Sequence, residues 1–288
     1  MQDFANRVAV ITGGASGVGR AIGAMLAGEG AKIILADIDQ ARLDATAAEI
    51  AAETGADVAG MTVDVTKPES VDALADAAFR RHGAVHLMFN NAGVGLGEAQ
   101  KKMWELPVSD WRWGFDVNVF GVIHGIRSFV PRMLESGSEG VVVNTSSSNG
   151  GLRSLPNTPI YAASKASVTS LSEVLYQQLL REGGRVSAAV LFPGPHVVNT
   201  RILASRRNRP QDYGDPGDNR PAYETMQDLV RTTGLDMALT EPEEVAAFAL
   251  AGIRAGRFWL LPESVENDRK LRERTDGILA RSNPPSAW

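Results

Sequence analysis

The 288-residue chain has no cysteine. Disulfides, thiol nucleophiles and cysteine-ligated metals are therefore excluded. It also lacks a run of apolar residues long enough to span a membrane. The first residues, Met1-Gln-Asp-Phe-Ala-Asn-Arg7, have neither the basic start nor the apolar stretch of a signal peptide. A net charge of −5 gives no electrostatic reason to expect nucleic acid or an anionic membrane as partner. Internal repeats, low-complexity tracts and a recognisable interdomain linker are missing. What remains is ordinary globular composition, with 44 % hydrophobic and 22 % charged residues, which argues against disorder. A soluble, cytoplasmic protein of one domain, residues 1–288, is expected.

Short apolar runs alternate with amphipathic stretches through the first 190 residues. Strands are predicted at Val8–Thr12, Lys32–Ala36, Val58–Val63, Val85–Asn90, Val141–Thr145 and Val186–Phe192. Helices are predicted between them, near Gly17–Glu29, Gln40–Glu53, Pro68–Arg81, Asp110–Glu135 and Ile160–Arg181, with Pro68 and Ser109/Asp110 as starts. Repeated βα units imply an α/β fold, a parallel sheet covered by helices on both faces. The pattern breaks after Pro193. Residues 195–240 are rich in proline, glycine and charge, with a helical hint at Tyr223–Val230, and read as a substrate lid. A helix at Glu243–Ala255, a strand at Arg257–Leu261 and a helix at Val265–Arg281 follow.

The first strand runs into Thr12-Gly-Gly-Ala-Ser-Gly-Val-Gly19 and then directly into a helix. Gly13, Gly17 and Gly19 let the backbone turn tightly and approach a diphosphate, which then faces the helix N-terminus. Asp37 ends the second strand, where a carboxylate accepts hydrogen bonds from a ribose diol and repels a 2′-phosphate. Ser16 and Ile38 stand where a 2′-phosphate pocket would want arginine or lysine. NAD is therefore the expected cofactor. A second glycine cluster, Gly93-Val-Gly-Leu-Gly97, has no acidic partner and reads as a flexible turn.

Tyr161 and Lys165 lie four residues apart, on one face of the predicted helix. A lysine ammonium beside a phenol favours the phenolate, which makes the tyrosine usable as a base. A surface pair would have the same spacing, so the neighbouring motifs decide. Taken together, the glycine turn, Asp64-Val65, Asn90-Asn-Ala-Gly93, Asn118 in Asp116-Val-Asn-Val-Phe-Gly121, Asn144-Thr-Ser-Ser147, Tyr161-x-x-x-Lys165 and Pro193-Gly194 resemble the short-chain dehydrogenase/reductase family over essentially the whole chain. The resemblance implies a Rossmann-like, doubly wound parallel sheet of about seven strands. It implies cofactor contacts from Val18, Ile38, Asp64, Val65, Asn91, Ala92, Gly93, Pro193 and Gly194, with Val198 and Thr200 at the nicotinamide end. It also implies a catalytic set of Asn118, Ser147, Tyr161 and Lys165, and pairing of subunits into a homodimer or homotetramer.

Within that set Tyr161 exchanges a proton with a secondary alcohol or ketone, Lys165 lowers the phenol pKa and holds the nicotinamide ribose, and Asn118 holds a water. Counting back from Tyr161 points to Ser148, whereas the strand-end motif points to Ser147. Ser147 is preferred because a strand fixes side-chain direction by alternation. The loop Pro193-Gly-Pro-His-Val-Val-Asn-Thr200 is two residues longer than the family's usual pattern. Pro193-Gly194-Pro195 with Asn208-Arg209-Pro210 looks somewhat like bacterial members that oxidise benzylic secondary alcohols. A bulky, partly apolar, aryl or steroid-like substrate is expected, against Met226, Leu229, Leu235 and Met237. Arg201, Arg206, Arg207, Arg209 and Arg220, diluted by Asp212, Asp215 and Asp218, read as a solvated lid. His82, His86, His124 and His196 lack ligand spacing, so no metal is expected. Trp104, Trp111 and Trp113 read as packing residues. Two alternatives stay open: an NADP(H)-dependent carbonyl or enoyl reductase, and a non-catalytic dinucleotide sensor.

Overall fold

A computed structural model describes residues 1–98, 101–214 and 223–284. The first half is built from β1 (Val8–Thr12), α1 (Gly17–Gly28), β2 (Lys32–Asp37), α2 (Gln40–Thr54), β3 (Val58–Thr62), α3 (Pro68–His82) and β4 (Leu87–Asn90). Then come α4 (Val108–Phe115), α5 (Gly121–Glu135), β5 (Gly140–Thr145), α6 (Pro159–Arg181), β6 (Val186–Leu191) and β7 (Val197–Val198). The chain closes with α7 (Met226–Thr233), β8 (Leu239–Thr240), α8 (Pro242–Arg254), β9 (Trp259–Leu260) and α9 (Val265–Ala280).

Seven strands form one parallel sheet in the order β3-β2-β1-β4-β5-β6-β9. The apolar runs explain why the central strands lie inside: every residue of β1, β4 and β5 is buried. One hydrophobic cluster packs Ile22 and Leu26 of α1 and Val245 and Leu250 of α8 on one face. A second packs Leu74 of α3, Phe129 of α5 and Leu175 of α6 on the other. The order reverses between β1 and β4, which opens a crevice at their carboxyl ends.

Three departures from the sequence reading matter for the site. The helix expected over Asp110–Glu135 starts at Val108 and is a continuous rod carrying a wide π-turn at Asp116–Phe120, where the Gly121 N–H reaches back to the Asp116 carbonyl. Such a turn accommodates one extra residue and is common at functional sites. The stretch after Pro193 holds a small parallel pair, β7 with β8, besides α7, which Thr225 caps. Gly194 makes this bend possible: φ is +72°, and a Cβ there would lie 2.7 Å from Thr240 Oγ1. Finally, no residue of α9 is fully buried. Among the described residues no helix is long and apolar enough to cross a membrane.

Candidate active site

A cavity of about 890 Å³ lies at the carboxyl ends of the central strands. At one end is the glycine turn. Gly13 and Gly17 hold φ of +67° and +54°, and a side chain on Gly19 would come within 2.3 Å of the Gly13 carbonyl oxygen. Gly19 therefore shapes the turn from behind; unlike Gly13, Ser16, Gly17 and Val18 it does not line the cavity. Ser16 is extended and makes no side-chain cap, so the first-turn amides of α1 stay available to an anion. The Asp37 carboxylate is held by the amides of Ala15 and Asp39, both at 3.1 Å, with lone pairs left for a diol. Ile38, Asp64 and Val65 continue this wall. Asp64 accepts from the Thr66 amide at 2.9 Å and hydroxyl at 2.7 Å. The amides of Asn91 and Ala92 donate to Thr12 Oγ1 at 3.0 and 3.1 Å, which locks the loop after β4 onto β1. Glycines where a Cβ would collide, uncapped helix amides and a carboxylate at the strand end together fit a dinucleotide.

At the other end, strand alternation sorts the three serines. Ser146 points into α6 and bonds the Lys165 carbonyl at 2.8 Å and Thr169 Oγ1 at 2.7 Å. Asn144 adds a second staple to α6, through Ser172 Oγ at 3.0 Å. Ser147 then faces the cavity. Its hydroxyl accepts from the Asn149 amide at 3.2 Å, and it lines the cavity together with Tyr161. Ser148 Oγ is buried without a partner. Lys165 is 4 % exposed and donates from Nζ to the Thr145 carbonyl at 2.8 Å. Burial pulls its pKa down to about 8. Burial also pushes the Tyr161 phenol above its ordinary value, only partly opposed by the neighbouring Ser147 hydroxyl. Lys165 Nζ lies 5.7 Å from the Tyr161 ring centre. Asn118 sits in the π-turn, wholly buried. Its Oδ1 accepts from the Val94 amide at 2.8 Å, and its Nδ2 donates to the Val94 carbonyl and Ser164 Oγ at 3.2 and 3.1 Å. Both ends of its amide are engaged, and it does not reach the cavity surface.

A sequence profile described as short chain dehydrogenase matches residues 7–211. The chain belongs to the short-chain dehydrogenase/reductase family. It is 40 % identical to the 1-deoxy-11-beta-hydroxypentalenate dehydrogenase of Streptomyces exfoliatus, over 97 % of this chain and 92 % of that protein. A solved short-chain dehydrogenase/reductase of Burkholderia phymatum, in complex with NAD, is 38 % identical and superposes with a TM-score of 0.89, covering 100 % of this chain and 99 % of that one. An alcohol dehydrogenase of Thermococcus sibiricus, complexed with 5-hydroxy-NADP, is 25 % identical with a TM-score of 0.66, covering 90 % and 92 %.

Several features of this short-chain dehydrogenase were not legible in its sequence. The Gly93–Gly97 segment is a pinned strap rather than a flexible turn. Val94 holds Asn118, the Gly95 amide donates to Ser205 Oγ at 3.2 Å, and Arg206 donates to the Leu96 carbonyl at 3.4 Å. The arginines expected to form a solvated lid are not all solvated. Arg209 forms a buried ion pair with Asp110 at 2.6 Å, both side chains 3 % exposed, and Arg201 pairs with Glu224. Arg220, Asp215 and Asp218 lie outside the described residues. Arg207 stands near Asp39 and Asp37, whose charges favour its guanidinium, while burial and Arg42 lower its pKa.

Pro193, Gly194 and Val198 line the cavity, and Thr200 packs its methyl group 3.0 Å from the position of a Cβ on Gly17, against the glycine turn. Met226 and Met237 line the cavity, whereas Leu229 and Leu235 do not. Trp113 lines it too, while Trp104 is 80 % exposed. Glu266, Asn267 and Lys270 of α9 supply an unexpected wall, and Asn267 Nδ2 is buried there without a partner. A helix with no apolar face was the available signal. Of the histidines, His86 Nδ1 accepts from the Val8 amide at 3.1 Å and His124 Nδ1 meets the Val65 carbonyl at 2.9 Å, both structural contacts, and His196 lies at the cavity mouth. Among the described residues no three potential metal ligands converge.

Proposed function

We propose that this enzyme interconverts a secondary alcohol and a ketone with NAD, on a bulky, partly apolar substrate. The observation that carries the reading is the convergence of Ser147, Tyr161 and buried Lys165 at one end of a cavity whose other end is the glycine turn and Asp37. The first-turn amides of α1 would hold the diphosphate, Asp37 the adenosine ribose, Asp64 and Val65 the adenine, and Lys165 the second ribose. Bound NAD supplies the hydride acceptor. Ser147 donates a hydrogen bond to the substrate oxygen, where negative charge gathers. Tyr161 takes the hydroxyl proton in oxidation and returns it in reduction. Lys165 favours the phenolate, and Asn118 holds the π-turn and strap that border it. Leu96, Trp113, Leu152, Met226 and Met237 give the substrate an apolar wall, and Asn267 offers a donor at its rim. Phe120 beside α5 and Val174 and Leu180 on α6 are exposed apolar side chains, in keeping with subunit pairing through these helices.

The test is Tyr161→Phe against the parent enzyme, on a panel of aryl, steroid and aliphatic secondary alcohols followed by NADH absorbance. The variant should bind NAD within about threefold of the parent and lose turnover by about two to four orders of magnitude. Retained turnover would refute the proton-transfer role. One observation favours a second reading, with NADP as cofactor: Arg207 and Arg42 stand close to Asp37 and Asp39. NADP binding more tightly than NAD in equilibrium titration would select it.

A further inference from the structure

Helix α6, which carries Tyr161 and Lys165, begins without a local cap. Its N-cap residue Thr158 makes no side-chain cap, because its Oγ1 accepts instead from Asn149 Nδ2 at 2.7 Å. Pro159 opens the helix and has no N–H. The next amides, of Ile160 and Tyr161, need acceptors in a place closed to bulk water. One carboxylate serves both. The Ile160 amide donates to Glu98 Oε2 at 2.7 Å and the Tyr161 amide to Glu98 Oε1 at 2.9 Å. Glu98 is 2 % exposed and comes from the end of the strap, 62 residues before Ile160. An anion at this position also complements the partial positive charge of the helix N-terminus.

We propose that Glu98 is a positioning residue for Tyr161, an inference that rests on the oxidoreductase reading above. Glu98 then fixes the main chain of Tyr161, whose side chain lines the cavity beside Ser147. The same strap that ends in Glu98 holds Asn118 through Val94 and the lid through Gly95 and Ser205. It therefore carries the lid, the π-turn and the start of the tyrosine helix on one short piece of backbone. A small displacement of the helix start would move the phenol away from Ser147, and such misplacement is costly in rate while leaving the cofactor end untouched.

The experiment compares Glu98→Ala and Glu98→Gln with the parent, by steady-state kinetics, NAD titration and hydrogen-exchange mass spectrometry of residues 158–165. In Glu98→Ala these amides should exchange faster, and kcat should fall about tenfold or more while KM and NAD affinity stay within about threefold. Glu98→Gln, whose amide oxygen can still accept from one N–H, should recover a good part of kcat and of the protection. Unchanged exchange at 158–165, or kcat kept within about threefold in Glu98→Ala, would overturn the proposal. So would a parallel loss of NAD affinity in both variants, which marks general disruption rather than positioning. If the parent oxidises no secondary alcohol, the functional reading fails by itself, and the exchange rates still decide whether Glu98 sets the helix start.

Discussion

The ammonium of Lys165 is held inside the protein with the Thr145 carbonyl as acceptor, and burial draws its pKa from 10.5 to about 8. That shift has a stability consequence with a definite sign. Between about pH 8 and 10.5 the unfolded chain binds a proton at this site that the folded chain has released, so stability rises with pH across this window. Below pH 8 both states are protonated and the penalty is constant, at about 3 kcal/mol. Replacing the side chain by an apolar one of similar length removes the penalty and forfeits a hydrogen bond worth about 1 kcal/mol net. Lys165→Met should therefore abolish turnover and yet resist urea better than the parent at pH 7, in the absence of cofactor. The advantage should shrink as pH is raised from 8 towards 10. A variant less stable than the parent at pH 7 would show that the buried charge is better solvated than its surroundings suggest. Tyr161 obeys the same physics with opposite sign, since burial favours its neutral form.

At the scale of elements, residues 201–214 are attached to the rest of the fold by a clamp. Arg209 donates to Asp110 Oδ1 at 2.6 Å, to the Tyr213 carbonyl at 2.6 Å and to the Gly214 carbonyl at 3.1 Å, and its guanidinium lies 5.2 Å from the Trp113 ring centre. The Tyr213 hydroxyl donates to Asp116 Oδ2 at 2.8 Å, in the π-turn that carries Asn118. Residues 209–213 are thus seated on α4 and on the turn that carries Asn118. Removing one member of a buried ion pair leaves the other unpaired, at a cost of about 3–5 kcal/mol. Arg209→Ala and Asp110→Ala should each lower stability by that order, or expose residues 201–214 to proteolysis if the loss stays local. The double variant Arg209→Met/Asp110→Leu should recover most of it, because neither charge is then stranded. Equal damage in the double variant would mean that hydrogen bonds to the lid backbone, rather than the ion pair, fasten it.

For the molecule as a whole, the legible parts were those with a local pattern. The apolar runs of β1, β4 and β5 announce buried parallel strands, and the glycine turn, the acidic end of β2 and the Tyr161–Lys165 spacing are each short patterns along the chain. Glu98 above the tyrosine helix, Arg209 on Asp110 and α9 along the cavity join segments tens of residues apart, through side chains that are ordinary in their own neighbourhoods. Asp37 at the end of β2 is a feature of the first kind, and Arg207, which stands near it from a distant segment, is of the second. With Asp37 present, its fixed carboxylate opposes a 2′-phosphate. With Asp37→Ser, the repulsion is gone while Arg207 and Arg42 remain, and a charge-assisted contact is worth about 1.5–3 kcal/mol. The variant should then bind NADP about tenfold to a hundredfold more tightly than the parent does, and NAD more weakly because the ribose diol has lost its acceptor. Fluorescence titration with both cofactors reads the two changes separately. If NAD weakens and NADP does not gain, Arg207 faces the lid rather than the adenosine site, and cofactor choice rests on Asp37 alone.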